Sequence, residues 1–298
     1  MQIVVRQSSG LGNQLFQYAA GRYYAQKYRA SLRIAIEPSQ KGYSYGYPRP
    51  VLLSNFSIPE PIEEIRSLDR LLLSKRTYLQ PTLSRIKSAL RIQVIEEDIA
   101  QRYRFSPNLP IKQEVETLYL VGYWQAHRIA DETAGELRSS LRFNKPASGK
   151  NLEVLNKIRA SQNPVSLHIR RGDYTLASEG NIALPIDYYQ RAIKLLKQQF
   201  NSPTFFVFSD DIPYAKQNLP SDLNAEFVDH NDDFSSHEDL RLMSCCSHHI
   251  IANSTFSWWG AWLNPSEDKI VYAPRQWLLK ADTVFPELIP TAWRLLDV

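Results

Sequence analysis

Chemistry is densest at His168, Arg170, Arg171 and Asp173, in the run His-Ile-Arg-Arg-Gly-Asp-Tyr that directly follows the apolar segment Val165-Ser166-Leu167. That segment reads as a buried strand, so two guanidinium groups, an imidazole and a carboxylate emerge where a strand ends. In alternating α/β domains ligands bind outside the carboxyl ends of strands, and paired arginines there suit a phosphate-bearing small molecule. Taken alone, the cluster is equally an ordinary surface Arg–Asp ion pair. If the strand continues, side-chain alternation puts His168 and Arg170 on one face and Arg171 on the other. Arg170 is then the phosphate ligand, and Arg171 is left for a structural ion pair or helix-end contact.

Three further segments carry compatible groups. Gly10-Leu11-Gly12-Asn13-Gln14 would let backbone amides approach an anion at a helix N-terminus, although it lacks the third glycine of the dinucleotide fingerprint and is also read as a plain turn. Ser209-Asp210-Asp211 ends the apolar run Phe205–Phe208, where one acid could accept ribose hydroxyls and Asp211 could cap the helix entered at Ile212-Pro213. Asn253-Ser254-Thr255 stands between a strand and an aromatic helix, a placement that offers hydroxyls and amides to a phosphate. Trp258, Trp259 and Trp262 of that helix read as core. Asp239 opens another helix, where the helix dipole alone accounts for it.

The elements that must hold these groups follow from periodicity. Residues 2–6 form a β-branched strand, followed by a glycine turn and a helix over 13–28. Pro38–Pro61 is proline-rich and irregular, Ile62–Leu73 resumes a helical pattern, and Leu118–Tyr123 is a strand. The polar, breaker-rich stretch 143–150 marks a domain boundary, giving domains 1–147 and 148–298. Strands at 165–169, 204–208, 226–228, 249–252 and 269–272 then alternate with helices at 187–200, 213–218, 237–244 and 256–263. That alternation implies βαβ units and a parallel sheet. The expected class is α/β, two Rossmann-like domains facing across a cleft.

The 298 residues carry a net charge of only +4, too small to demand a nucleic-acid or membrane partner. No signal peptide and no run of about 18 apolar residues is visible. The two cysteines, Cys245 and Cys246, are adjacent and suit neither a stabilising disulfide nor a zinc site. A cytoplasmic, reducing setting is the expectation.

Read together, GlyLeuGlyAsnGlnLeuPheGlnTyrAla at 10–19, HisIleArgArgGlyAspTyr at 168–174, PheSerAspAsp at 208–211 and IleAlaAsnSerThrPheSerTrpTrpGlyAlaTrpLeu at 251–263 resemble the α1,2-fucosyltransferase family, in its order and over nearly the whole chain. The resemblance is to soluble bacterial members. It implies a GT-B fold, GDP-β-L-fucose as donor, a β-galactoside acceptor fucosylated at its 2-hydroxyl, inversion at the anomeric carbon, and no metal or other cofactor. Carried over by position, Arg170 would bind the β-phosphate, His168 and Asp239 the guanine, Asp210 the ribose region, and Ser254 with Thr255 the phosphates. Gly12 belongs to the glycine loop, and Asn13 would lie near the reacting centre. Arginine can replace a metal as diphosphate clamp, and preorganised Arg170 and Asn253-Ser254-Thr255 would stabilise charge growing on the leaving GDP. Asp173 and Glu179 are the nearest candidate bases, and Asp173 could instead orient an arginine. Transfer to another acceptor class and non-catalytic binding of a GDP-sugar or glycan are the competing readings. Acceptor and oligomeric state stay open.

Overall fold

In the computed structural model, residues 1–36, 50–73, 79–98, 103–176, 182–278 and 287–298 are described. The chain divides into two compact units, Met1–Arg142 and Phe143–Val298. The division precedes residue 147 because Phe143 and Ala147 already pack in the second unit: the Arg241 guanidinium covers the Phe143 ring at 4.2 Å, and Ala147 is buried among Val154, Leu155 and Leu242.

The first unit runs β1 (Gln2–Arg6), α1 (Leu11–Lys27), β2 (Ser31–Ile36), β3 (Ile62–Glu64), α2 (Ser67–Leu72), α3 (Gln80–Ala89), β4 (Ile92–Glu96), β5 (Thr117–Val121), α4 (His127–Glu132) and α5 (Ala134–Ser140). Its strands pair in parallel in the order β3-β2-β1-β5-β4. The helical pattern expected over Ile62–Leu73 is corrected: Ile62 pairs with Ile34 as an edge strand, and only 67–72 is helical. Pairing along β2 outweighs the local periodicity there. Helix α1 packs closely on β1 and β2, where a Cβ on Gly21 would come within 2.9 Å of Leu32 Cδ1.

The second unit runs α6 (Gly149–Ala160), β6 (Pro164–Ile169), α7 (Ile186–Gln199), β7 (Thr204–Ser209), α8 (Ile212–Asn218), β8 (Ala225–Val228), α9 (Ser236–Ser244), β9 (His248–Ile250), α10 (Thr255–Leu263), β10 (Val271–Pro274) and β11 (Arg294–Leu296). Its parallel sheet has the order β11-β10-β9-β6-β7-β8. Strand β6 is buried on both faces, as a central parallel strand must be. Val165, Leu167 and Ile169 face Tyr188, Tyr189 and Ile193 of α7. Phe206 and Phe208 of β7 point the other way, onto Val154 and Ile158 of α6 and Leu242 and Met243 of α9. Both units are thus Rossmann-like, as the alternation predicts. Among the described residues no helix is long and apolar enough to cross a membrane.

Candidate active site

Strand order decides where each unit can hold a ligand. In the second sheet the chain winds from β6 to β7 and β8, then returns to β9 on the other side of β6, so the order reverses between β6 and β9. A crevice opens outside the strand ends at such a point. The two segments singled out for phosphate flank it: Arg170 follows β6, and Asn253-Ser254-Thr255 follow β9.

The arginines divide the two aspartates between them. Arg170 Nη1 donates to Asp210 Oδ2 at 2.9 Å, whereas Arg171 Nε donates to Asp211 Oδ2 at 3.2 Å and its guanidinium lies 3.5 Å from the Tyr214 ring centre. Asp211 also caps α8, accepting from the Tyr214 amide. Asp210 Oδ1 accepts from the Arg171 backbone N–H at 2.8 Å. Both Asp210 oxygens are therefore engaged, and Asp210 orients Arg170, a role the sequence offered to Asp173. Gly172 makes room for this arrangement, since a Cβ there would stand 2.6 Å from Asp210 Oδ2. Asp173 lies on the short 3-10 turn Gly172–Leu176, but its side chain is outside the described residues, as is all of Glu179.

His168 is 5% exposed on the sheet face shared with α9, its ring 5.7 Å from that of Phe256. Burial, with the adjacent Arg170 charge, pushes its pKa down to about 3, so the imidazole is neutral. Its Nδ1 is buried with no protein partner. Asp239 stands in the first turn of α9, and burial, with Glu238 nearby, raises its carboxyl to about 7 against the lowering effect of a hydrogen bond from Asn231.

Across the switch point Ser254 caps α10, its Oγ accepting from Phe256 N–H at 3.3 Å, and Thr255 is the first helical residue. The Asn253 amide donates both ways into the scaffold, to the Ile182 and Trp277 carbonyls at 3.0 Å each. Its part in this geometry is to hold the loop. Tyr174 Oη reaches the Asn253 carbonyl at 3.3 Å and ties the turn after β6 to the loop after β9. Trp258, Trp259 and Trp262 are buried core, and Gly260 lets α10 close on α9, where a Cβ would lie 2.9 Å from Met243 Cβ.

The first sheet reverses between β1 and β5. The glycine loop follows β1, and Gly122-Tyr123-Trp124-Gln125 follows β5. Two buried glutamines of α1 pin the glycine loop: Gln14 Nε2 donates to the Ser9 and Pro50 carbonyls, and Gln17 bridges Ser8 and the Gly122 carbonyl. The left-handed Ser9 (φ 64°) is held in this way. Asn13 sits in the first turn of α1 beside the buried Gly12, and its Oδ1 accepts from Gln125 Nε2 at 2.7 Å. Glu97 fixes the facing loop by accepting from the Tyr123 and Trp124 amides. Gln125, Glu97, Asn231 and Tyr174 were not singled out from sequence. Among the described residues no group of three His, Cys, Asp or Glu side chains is placed to hold a metal ion.

A model of glycosyl transferase family 11 matches residues 2–280. The chain belongs to this family. It is 34% identical over 292 residues to the O-antigen biosynthesis glycosyltransferase WbnK of Escherichia coli, covering 91% of this chain and 93% of that protein. It is 31% identical over 313 residues to an alpha-1,2-colitosyltransferase of the same organism, covering 98% and 97%. Among solved structures it is similar to NodZ alpha-1,6-fucosyltransferase soaked with GDP-fucose, with TM-score 0.53 and 17% identity over 89% of this chain and 92% of that one. A mutant Arabidopsis thaliana FUT1 in complex with GDP gives TM-score 0.55 at 12% identity over 93% and 71%. The chain is a glycosyltransferase of family 11 and GT-B type.

Proposed function

We propose that this family 11 enzyme transfers L-fucose from GDP-β-L-fucose to the 2-hydroxyl of a β-galactoside, inverting the donor anomeric carbon. The observation that carries the reading is Arg170, fixed by Asp210 at the carboxyl end of β6 beside the switch point. A bidentate, always-charged donor there suits the β-phosphate, on which negative charge grows as the bond to C1 breaks. Ser254 and Thr255 supply further donors from the start of α10. His168, neutral and with Nδ1 unpartnered, and Asp239 take the guanine. Asp210 reaches the ribose region only through the arginine it orients, and within the first unit the Asn13 amide is oriented by Gln125. The acceptor hydroxyl attacks from the face opposite the phosphate, and Asp173, or Glu179, receives its proton. No metal takes part.

The similarity to a colitosyltransferase supports a second donor, since colitose is fucose without its 3-hydroxyl. The test is a linkage-resolved product analysis with GDP-fucose and GDP-colitose in competition, against a panel of β-galactosides in EDTA. A 2-linked fucoside formed at full rate supports the reading. Preference for colitose, a different linkage, or dependence on added magnesium or manganese overturns the corresponding part.

A further inference from the structure

Asp239 is held by a chain of polar groups drawn from three elements. Its Oδ1 accepts from Asn231 Nδ2 at 2.6 Å. Asn231 and Asn151 are paired reciprocally, Asn231 Nδ2 reaching Asn151 Oδ1 at 2.9 Å and Asn151 Nδ2 returning to Asn231 Oδ1 at 3.0 Å. Asn151 Oδ1, which can only accept, also takes the Nε2–H of His230 at 2.8 Å. Asn151 comes from the first turn of α6, His230 and Asn231 from the turn after β8, and Asp239 from the first turn of α9.

The pairing leaves the Asn231 amide one orientation. Turned by half a rotation, it would set oxygen against the Asp239 carboxylate and nitrogen against Asn151 Nδ2, losing all three of its bonds to Asp239 and Asn151 while His230 still holds Asn151. Asn231 therefore offers Asp239 a donor only. A carboxylate that receives the N1–H and N2–H groups of guanine must be ionised and fixed in angle, and a donor on one oxygen serves both needs. Adenine presents an acceptor at N1, so the fixed carboxylate would meet it lone pair to lone pair.

We propose that Asn231, locked by Asn151 and His230, is the positioning residue that sets Asp239 against the purine edge and so determines the preference of the donor site for guanine. The inference rests on the reading of Asp239 as a guanine ligand.

Binding of GDP and IDP to the full-length protein, measured calorimetrically, tests it, because IDP lacks only the 2-amino group. The native protein should prefer GDP, and Asn231→Ala should weaken GDP by roughly tenfold while affecting IDP less, so that the preference shrinks. Asn151→Ala should move it in the same direction by a smaller factor. Asn231→Asp, close to isosteric, replaces the donor with a second carboxylate; should the alanine variant fold poorly, it must still lower the GDP to IDP ratio. If the Asn231 variants weaken both nucleotides by one common factor, or neither, while Asp239→Asn removes the preference, Asn231 has no positioning role and the guanine reading stands. If Asp239→Asn leaves the preference intact, the guanine reading falls and this inference with it.

Discussion

At the scale of single residues the donor clamp makes the sharpest prediction. Arg170→Lys keeps the charge and loses the planar fork, so turnover should fall by about two orders of magnitude, roughly 3 kcal/mol. Steady-state kinetics with GDP-fucose would check this, and near-normal turnover would remove Arg170 from the mechanism. Arg171→Lys should do far less, because Arg171 is occupied by Asp211 and Tyr214. Asp173→Asn and Glu179→Gln separate base from bystander. Loss of the base lowers turnover while GDP affinity holds, and Asp173→Asn retaining more than about a tenth of normal turnover would exclude it as the essential carboxylate. The placement of His168, Arg170 and the Ser254-Thr255 pair was legible because charged or hydroxyl groups at strand ends stand out against apolar runs, whereas Asp239, in the first turn of a helix, was marked only by the family resemblance. Gln125 and Asn231 were not, since an amide has no periodic signature and Gln125 meets Asn13 across 112 positions.

Among the elements, close helix packing is what brings Asp239 and Ser254 into one domain face. Gly260→Ala places a methyl 2.9 Å from Met243 Cβ, an atom that cannot swing aside, so α10 must move from α9. Overpacking of this kind costs about 1–3 kcal/mol. Thermal melting and GDP titration of this variant should show both lower stability and weaker binding, whereas unchanged binding would show that the helix spacing is irrelevant to the site. Most strands and helices of the second unit were readable because buried parallel strands are short apolar runs and helices such as α7 are amphipathic, but α6 and the edge strand β11 gave no reading. The first unit was less so. Strands β2 and β4 and helix α3 gave no reading, and Ile62–Glu64 became a strand through its neighbour, a long-range cause that local pattern does not contain.

For the whole molecule, the residues proposed to bind the donor, other than Gly12 and Asn13, all lie in Phe143–Val298, which has its own buried clusters. That unit expressed alone should bind GDP and transfer nothing, and isothermal titration of it would decide. Acid should unfold the protein through histidines buried neutral. His168 and His249 both have native pKa values near 3 against 6.5 unfolded, His249 by burial with Lys269 and His248 adding, between Ser166 Oγ and Asn264 Nδ2. Below 6.5 the unfolded chain binds more protons, so stability is full above that pH and falls by about 1.4 kcal/mol per unit for each histidine as pH drops toward 3. Urea unfolding at pH 7 and pH 5 should show the loss, with a shallower slope for His249→Asn.

The reversal of strand order has a temporal side. The proposed nucleotide crevice lies between β6 and β9, strands paired in space but separated by the whole of α7, β7, α8, β8 and α9 in sequence. A nascent chain that has produced the paired arginines and the aspartates that hold them still lacks the other wall of the crevice, because β9 and the loop carrying Ser254 have not been made. Pairings of such separation are formed late and slowly in folding. Nucleotide binding thus reports completion of the domain rather than its onset, and GDP at a hundred times its dissociation constant would hold the finished form by about 2.7 kcal/mol against every partly assembled competitor.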